Sequence, residues 1–186
     1  MKMARAFVTI LLMGAASLGT AAPIPPADNS DPGFGASGDV EIVARIPAPD
    51  PSGIAVINGR LFLGFPKHDG DHIGPVLAEW KDGTLHPFPS ARWAQNTDGN
   101  PADRLISPHG LTTDTHGRLW VIDDGKVKGQ AIPSGGAKLV GIDPASATVF
   151  SKIILDTVTL PGSHLNDLRI DLTHGSAGTA YISDSS

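Results

Sequence analysis

The sequence contains no cysteine, few aromatic residues and few basic residues. Of its 186 residues, 5% are aromatic, and 14 Lys and Arg stand against 19 Asp and Glu, which gives a net charge of −5. The absence of Cys excludes disulfides, thiolate metal sites and a cysteine nucleophile. The basic residues are scattered, whereas binding to a phosphate backbone needs them clustered. We therefore expect no nucleic-acid partner.

Residues 1–22 have the composition of a secretory signal peptide. Lys2 and Arg5 precede an apolar run that is shorter than the ~20 residues needed to span a bilayer, and small residues follow up to Ala22. An interfacial anchor helix is the alternative interpretation. Removal of the segment leaves 12 basic and 19 acidic residues, a net charge of −7. We expect a secreted protein, periplasmic or extracellular, without membrane association once the signal is removed.

An internal repeat organises residues 39–186, after an extended leader at 23–38 that is rich in Pro, Gly, Asp, Asn and Ser. Gly53 and Gly110 are 57 residues apart, and Val121 and Ile182 are 61 residues apart. The period is therefore about 60 residues, and a period of this size indicates a repeat architecture.

Each repeat predicts four short strands. One apolar strand, a Gly-containing turn and an alternating strand form a hairpin, and a second pair follows, with turns at Asp82-Gly83 and Asp143-Pro144. A helix over residues 146–155 is the alternative for one segment, but its β-branched residues favour a strand. Four strands per repeat predict an all-β fold, a β-propeller of four-stranded blades.

The length of the chain accounts for only part of such a propeller. At about 60 residues per blade, residues 39–186 supply about two and a half blades, whereas a propeller has at least four. We therefore expect this region to be the N-terminal part of a propeller domain whose C-terminal blades are missing, about 340 to 370 residues in all if there are six blades. We also expect the chain to be unstable alone, because an incomplete propeller leaves sheet edges open.

Motifs in each repeat carry a family resemblance. The sequence resembles the Yellow and major royal jelly protein family, in its bacterial branch, through strings that occur in the family's order: Pro51-Ser52-Gly53-Ile54-Ala55-Val56, Gly117-Arg118-Leu119-Trp120-Val121-Ile122-Asp123, Lys138-Leu139-Val140-Gly141-Ile142-Asp143, Leu165-Asn166-Asp167-Leu168-Arg169-Ile170-Asp171 and Ala180-Tyr181-Ile182-Ser183-Asp184. The resemblance implies secretion, a six-bladed propeller, and activity or ligand binding at the mouth of the central channel. In insect members these are dopachrome conversion or the binding of biogenic amines.

A more distant similarity is to gluconolactonase-type propellers. Those proteins hold a divalent metal at the channel mouth through a Glu and Asn residues where the inner strands begin. The corresponding positions here are Ser52, His109 and Asn166, of which only Asn166 matches. Ser52 cannot supply the charge of a Glu, so the similarity predicts a lactonase-like metal site only weakly.

The starts of the inner strands supply the candidate ligand-binding residues Ser52, His109, Asn166 and Asp167. His109 is the candidate catalytic residue, because an imidazole can act as a general acid or base near neutral pH. The alternative is a channel-lining His bonded to backbone. Asn166 offers a donor and an acceptor, and Asp167 can hold a cation or cap a turn.

The segment from His68 to His72 is a weak candidate for a metal site. His68, Asp69, Asp71 and His72 are all metal-ligand types, and the alternative is a solvated loop. A divalent cation is thus a candidate cofactor, and none is assigned. Asp123 and Asp124 close a strand, where a structural role is the favoured interpretation, and Asp184 repeats the position of Asp123. The three tryptophans are expected to pack within blades: Trp80, Trp93 and Trp120.

Two functional hypotheses follow from the residues and the resemblance. The first is a secreted propeller that binds a small molecule, an aromatic amine or a catechol derivative, at the channel mouth. The alternative is an enzyme, either a dopachrome-type tautomerase or a metal-dependent, lactonase-like hydrolase. A shared fold does not choose between them.

Overall fold

The computed structural model describes residues 42–46, 49–95 and 97–186, and within these ranges the fold is almost entirely β. Ten strands are joined by turns, with one short α-helix and one 3₁₀ turn between the fourth and fifth strands. In chain order the elements are β1 (Gly53–Ile57), β2 (Arg60–Gly64), β3 (Leu77–Lys81), β4 (Thr84–Pro87), α1 (Ala91–Ala94), the 3₁₀ turn (Pro101–Asp103), β5 (Pro108–Thr113), β6 (Leu119–Asp123), β7 (Lys138–Asp143), β8 (Thr148–Ile154), β9 (Leu165–Asp171) and β10 (Thr179–Asp184).

The strands form three antiparallel sheets, each built in chain order. The first has the order β1-β2-β3-β4, the second β5-β6-β7-β8, and the third contains β9 and β10. These are two complete four-stranded blades and two strands of a third, so the predicted all-β propeller class is confirmed. β8 is a strand, as its β-branched residues predicted, and not a helix.

Local turn chemistry sets the first blade. Asn58 and Gly59 both have positive φ, 52° and 76°, in the two-residue turn between β1 and β2. Asp82 and Gly83 repeat this, at 51° and 77°, between β3 and β4. Positive φ at both central residues matches the right-handed twist of the flanking strands, which is why Asn-Gly and Asp-Gly favour hairpins.

The hydrophobic core lies between successive blades. The first cluster joins the first and second blades and includes Phe62, Leu77, Leu119 and Val140. The second joins the second blade to β9 and β10 and includes Trp120 and Leu168.

The tryptophans pack in or against these clusters, as predicted. Trp120 is buried, Trp93 packs against the first cluster, and Trp80 packs against a third cluster around Phe65.

The innermost strands β1, β5 and β9 approach one another closely at two glycines. A Cβ on Gly53 would overlap the carbonyl oxygen of His109, and a Cβ on Gly110 would lie 2.7 Å from the carbonyl oxygen of Asn166. These glycines are the pair that defined the 57-residue spacing. Each allows the start of one inner strand to lie against the next.

Part of the sequence prediction lies outside the described residues. The signal peptide at 1–22 and the leader at 23–38 belong to this part and stay predictions. Within the described ranges, no helix has the length and apolar character needed to cross a membrane.

Replacing Gly110 with Ala tests the close approach of the inner strands. Because the two atoms nearest to the added Cβ belong to the backbone of Asn166 and Asp167, we expect Gly110→Ala to lower the free energy of unfolding by about 1–3 kcal/mol. The matched control is Gly162→Ala, whose added Cβ meets nothing within 4 Å; it should stay within about 0.5 kcal/mol of the parent. Urea unfolding measures both, and equal midpoints would contradict the prediction.

Candidate functional site: a polar edge with three histidines

The candidate residues lie together at one edge of the blades, and the order and direction of the strands explain why. Inner strands of successive blades begin at the same edge, and an antiparallel partner returns the chain to that edge. Residues just before or at the start of β1, β5 and β9 therefore meet residues that follow β2 and β6. We call this the polar edge; its side chains are Ser52, His68, His109, Asp124, His164, Asn166 and Asp167.

β-Bulges help to aim two of these side chains. In β5, residues His109 and Gly110 stand opposite one residue of β6, because Pro108 pairs with Asp123 and Leu111 with Val121. In β9, the Asn166-Asp167 pair makes the same irregularity against β10. A bulge bends its strand and redirects a side chain, and bulges are common next to functional sites.

The structure brings together the three equivalent positions identified from the repeat. The Ser52 hydroxyl lies 3.3 Å from Nδ1 of His109, and Asn166 lines the same cavity, where its side-chain amide donates to the hydroxyl of Ser185. These residues come from three successive inner strands or their starts. Their convergence follows from blade packing.

The fourth predicted residue, Asp167, lies at the rim. Its carboxylate is half-exposed and receives Nη1 of Arg169 at 3.1 Å. A cavity of about 340 Å³ lies between the strand starts. Its lining includes Ser52, His109, Asn166, Asp167 and Arg169, with apolar surface from Ile54 and Leu111.

The segment from His68 to His72 does not form a metal cluster of its own. Asp71 pairs with Lys67 at 2.7 Å, and Nε2 of His72 donates to the carbonyl of Phe65. Asp69 is exposed and receives Nε2 of His68 at 2.9 Å. Of the five candidate metal ligands, His68, Asp69, Asp71, His72 and Asn166, His68 is the one that joins a group of potential ligands on the polar edge, and Asn166 lines the ligand cavity.

His164 is the residue that sequence reasoning missed. The imidazole centroids of His68, His109 and His164 form a nearly equilateral triangle with sides of 4.4, 4.5 and 4.6 Å. One nitrogen from each ring lies within 4.8 Å of the others, and this is the set of side chains on the polar edge able to hold a metal ion. A usable signal existed: His164 directly precedes the Leu165-Asn166 string that the repeat aligns with Pro108-His109.

Polar contacts involve both ring nitrogens of His68 and of His109. Nε2 of His68 lies 2.9 Å from a carboxylate oxygen of Asp69, and Nδ1 of His68 lies 2.8 Å from Nε2 of His109. Nδ1 of His109 lies within hydrogen-bond distance of the Ser52 hydroxyl. Neutral imidazole, which keeps one unprotonated nitrogen, is the form that binds metals.

Burial shifts the pKa values of two groups in the site, His109 and Asp124, in opposite directions. Burial, helped by the neighbouring His164 and His68, lowers the pKa of His109 to about 4. Burial raises the pKa of Asp124 to about 6, although the amide of Lys126 and the Ser107 hydroxyl stabilise its charged form. His109 is therefore neutral at pH 7, where Asp124 is mostly ionised.

Asp123, at the end of β6, stabilises the polar edge through buried hydrogen bonds and an ion pair. Its carboxylate is fully buried and accepts the amides of Ile106, Ser107 and Gly125. It also pairs with the buried Nζ of Lys138 at 2.7 Å. The structural role predicted for Asp123 is confirmed.

Asp184 repeats this device in the third blade. Its carboxylate accepts the amide of His164 at 2.9 Å, at the end of β10.

These features together define a β-propeller whose polar edge carries three histidines and a buried carboxylate. A family model, described as Major royal jelly protein, matches residues 106–186, which contain β5 to β10. The match supports the family that the motifs indicated, and it includes the strings around Trp120 and Asn166; the string at 51–56 lies outside it. No curated protein matches the chain.

Breaking the Asp123–Lys138 pair should be costly. Lys138→Met leaves an uncompensated buried carboxylate, so we expect a loss of about 3–5 kcal/mol in the free energy of unfolding. Lys152→Met is the control, since Lys152 pairs with Asp103 at the surface and exposed pairs contribute up to about 1 kcal/mol. Urea unfolding of both variants compares the two; similar losses would contradict a special role for the buried pair.

The opposed pKa values of His109 and Asp124 predict compensating effects of pH. Between pH 4 and 6, His109 binds a proton only in the unfolded chain, so its contribution makes the free energy of unfolding rise with pH. Asp124 binds a proton only in the folded chain, so its contribution makes the free energy of unfolding fall with pH. The two effects nearly cancel in the parent. Asp124→Asn removes the second, so its free energy of unfolding should rise with pH more steeply than the parent's, by about 1 kcal/mol per pH unit.

Urea titrations at pH 4.5, 5.2 and 6.0 in EDTA measure this difference. Groups shared by the two proteins contribute equally to both curves. Parallel curves for the parent and Asp124→Asn would refute the compensation.

Proposed function

We propose that this chain is part of an exported β-propeller that binds a small organic molecule in the cavity at the polar edge. The observation that carries the proposal is the convergence of Ser52, His109 and Asn166, from three successive inner strands, on one cavity of about 340 Å³. Cavities of roughly 300–1,000 Å³ with a few convergent polar groups are typical of small-molecule sites.

The lining favours a ligand with an apolar body and polar substituents. Ile54 and Leu111 supply apolar surface, and Asn166 supplies a donor and an acceptor. The carboxylate of Asp167 at the rim, which pairs with Arg169, is a further acceptor for an ammonium group. An aromatic amine or a catechol derivative combines these properties, and the resemblance to the Yellow and major royal jelly proteins points to the same class.

Export is the second part of the proposal. It is supported by the charged start, short apolar run and small-residue end of residues 1–22, and by the family indicated by the match at 106–186. The lack of Cys is compatible with an oxidising compartment, because no thiol is available to be oxidised.

Binding is favoured over proton transfer by the basicity of His109. A tautomerase base works best with a pKa near the operating pH, whereas burial holds the pKa of His109 at about 4. A dopachrome-type tautomerase is therefore the less favoured function, and a lactonase-like hydrolase lacks a charged ligand at Ser52.

Calorimetric titration with catecholamines and indoleamines tests the binding proposal. We expect saturable binding in EDTA, weakened at least about tenfold in Asn166→Ala, since one lost hydrogen bond to a charged or polar ligand is worth about 1.5 kcal/mol. Gln130→Ala is the matched control, because Gln130 carries the same amide group and lines a different cavity. It should bind as the parent does.

Two results would overturn the proposal. One is the absence of heat for every amine while the protein shows a cooperative unfolding transition. The other is equal weakening in Asn166→Ala and Gln130→Ala, which would place the ligand away from the strand starts.

A further inference from the structure

We propose that His68, His109 and His164 bind one divalent transition-metal ion, with zinc the best match, and leave a coordination position open. This site shares His109 with the ligand cavity but does not depend on the function proposed above. It also differs from the segment 68–72 as a metal site, because only one of its ligands comes from that segment.

The spacing of the rings suits one ion. Nitrogens held ~2.0–2.1 Å from a tetrahedral zinc lie about 3.3 Å from each other. Two of the donors, Nε2 of His109 and Nδ1 of His68, are 2.8 Å apart, and all three donors fall within 4.8 Å of one another. These two values bracket the separation that one ion requires, so small rotations of the side chains reach it.

Each imidazole also faces a polar group on the side away from the cluster. Asp69 accepts from His68, Ser52 contacts His109, and the carboxylate of Asp124 lies 3.5 Å from Nδ1 of His164. Metal-bound histidines usually direct their second nitrogen to a carboxylate, carbonyl or hydroxyl, which orients the ring.

Asp124 gives an independent indication of a missing positive charge. Its side chain is fully buried, yet Oδ2 has no hydrogen-bond partner and faces His164. A buried carboxylate oxygen without a partner is costly. A cation held by the three imidazoles would polarise Nδ1–H of His164 toward this oxygen and stabilise the carboxylate.

The donor set selects the class of metal. Imidazole suits zinc, copper, nickel and iron, whereas calcium and magnesium prefer six or more oxygen ligands. Three His ligands with partial exposure of His68 and His164, about 20% of each side chain, leave room for water or a ligand in the fourth position. Zinc sites with three protein ligands and an open position are the catalytic type.

Metal titration of the full chain tests the site directly. The protein carries no polyhistidine tag and is first treated with EDTA and dialysed. Addition of cobalt(II) should give the intense visible absorption of a four- or five-coordinate ion, saturating at one equivalent, and zinc should displace it. Calcium and magnesium should not compete.

Variants locate the site. His164→Ala and His68→Ala should each weaken cobalt and zinc binding by more than the 10–100-fold expected for Asp124→Asn, which removes only a partner of a ligand. His174→Ala is the matched control, because His174 is exposed on the turn before β10 and outside the cluster. Far-UV circular dichroism and thermal unfolding report whether each variant is folded, and His68, in the loop between β2 and β3, is the most tolerant position.

The absence of cobalt absorption in the folded parent, or equal affinities of His164→Ala, His68→Ala and His174→Ala, would overturn the proposal. The metal titrations contain no amine and the amine titrations contain EDTA. Failure of one proposal therefore leaves the other measurable.

Discussion

The buried carboxylate of Asp123 is the interaction on which the polar edge depends. It neutralises Lys138 and receives the amides of Ile106, Ser107 and Gly125. Through these bonds the end of β6 is tied to the segment that leads into β5. Because Asp124 and His109 lie directly beside the tied segments, their positions follow from this one carboxylate. Because the carboxylate is buried, losing one of its partners is costly in free energy of unfolding, since no water can replace that partner.

The three blades hold the start of the inner strand through different groups. In the third blade Asp184 receives the amide of His164, so the carboxylate at the end of the second strand again holds the start of the inner strand. In the first blade a backbone bond, from the Ser52 amide to the carbonyl of Gly64, takes this role. The repeat is thus conserved in geometry within the chain while the side chains at its edge vary. That variation is what allows Ser, His and Asn to meet in one place.

Much of the fold was predictable because its determinants are local. Asn58-Gly59 and Asp82-Gly83 specify tight turns by their tolerance of positive φ, and β-branched alternation specifies β8. The equivalence of Ser52, His109 and Asn166 also followed from the repeat. His164 was not identified, because it stands outside any strand and its significance comes from two histidines that are distant in sequence.

The sequence by itself determined the class of fold, the number of strands in each repeat and the residues at the starts of the inner strands, since each depends on neighbours a few residues away. Only the tertiary structure decided which of them meet. His68 and His109 are 41 residues apart and Ser52 and His109 are 57 apart, yet they touch because glycine lets adjacent inner strands approach. The tertiary structure also buried Asp124 and placed His68, but not His72, beside His109. Contacts over such distances depend on how whole blades pack, which no local pattern records.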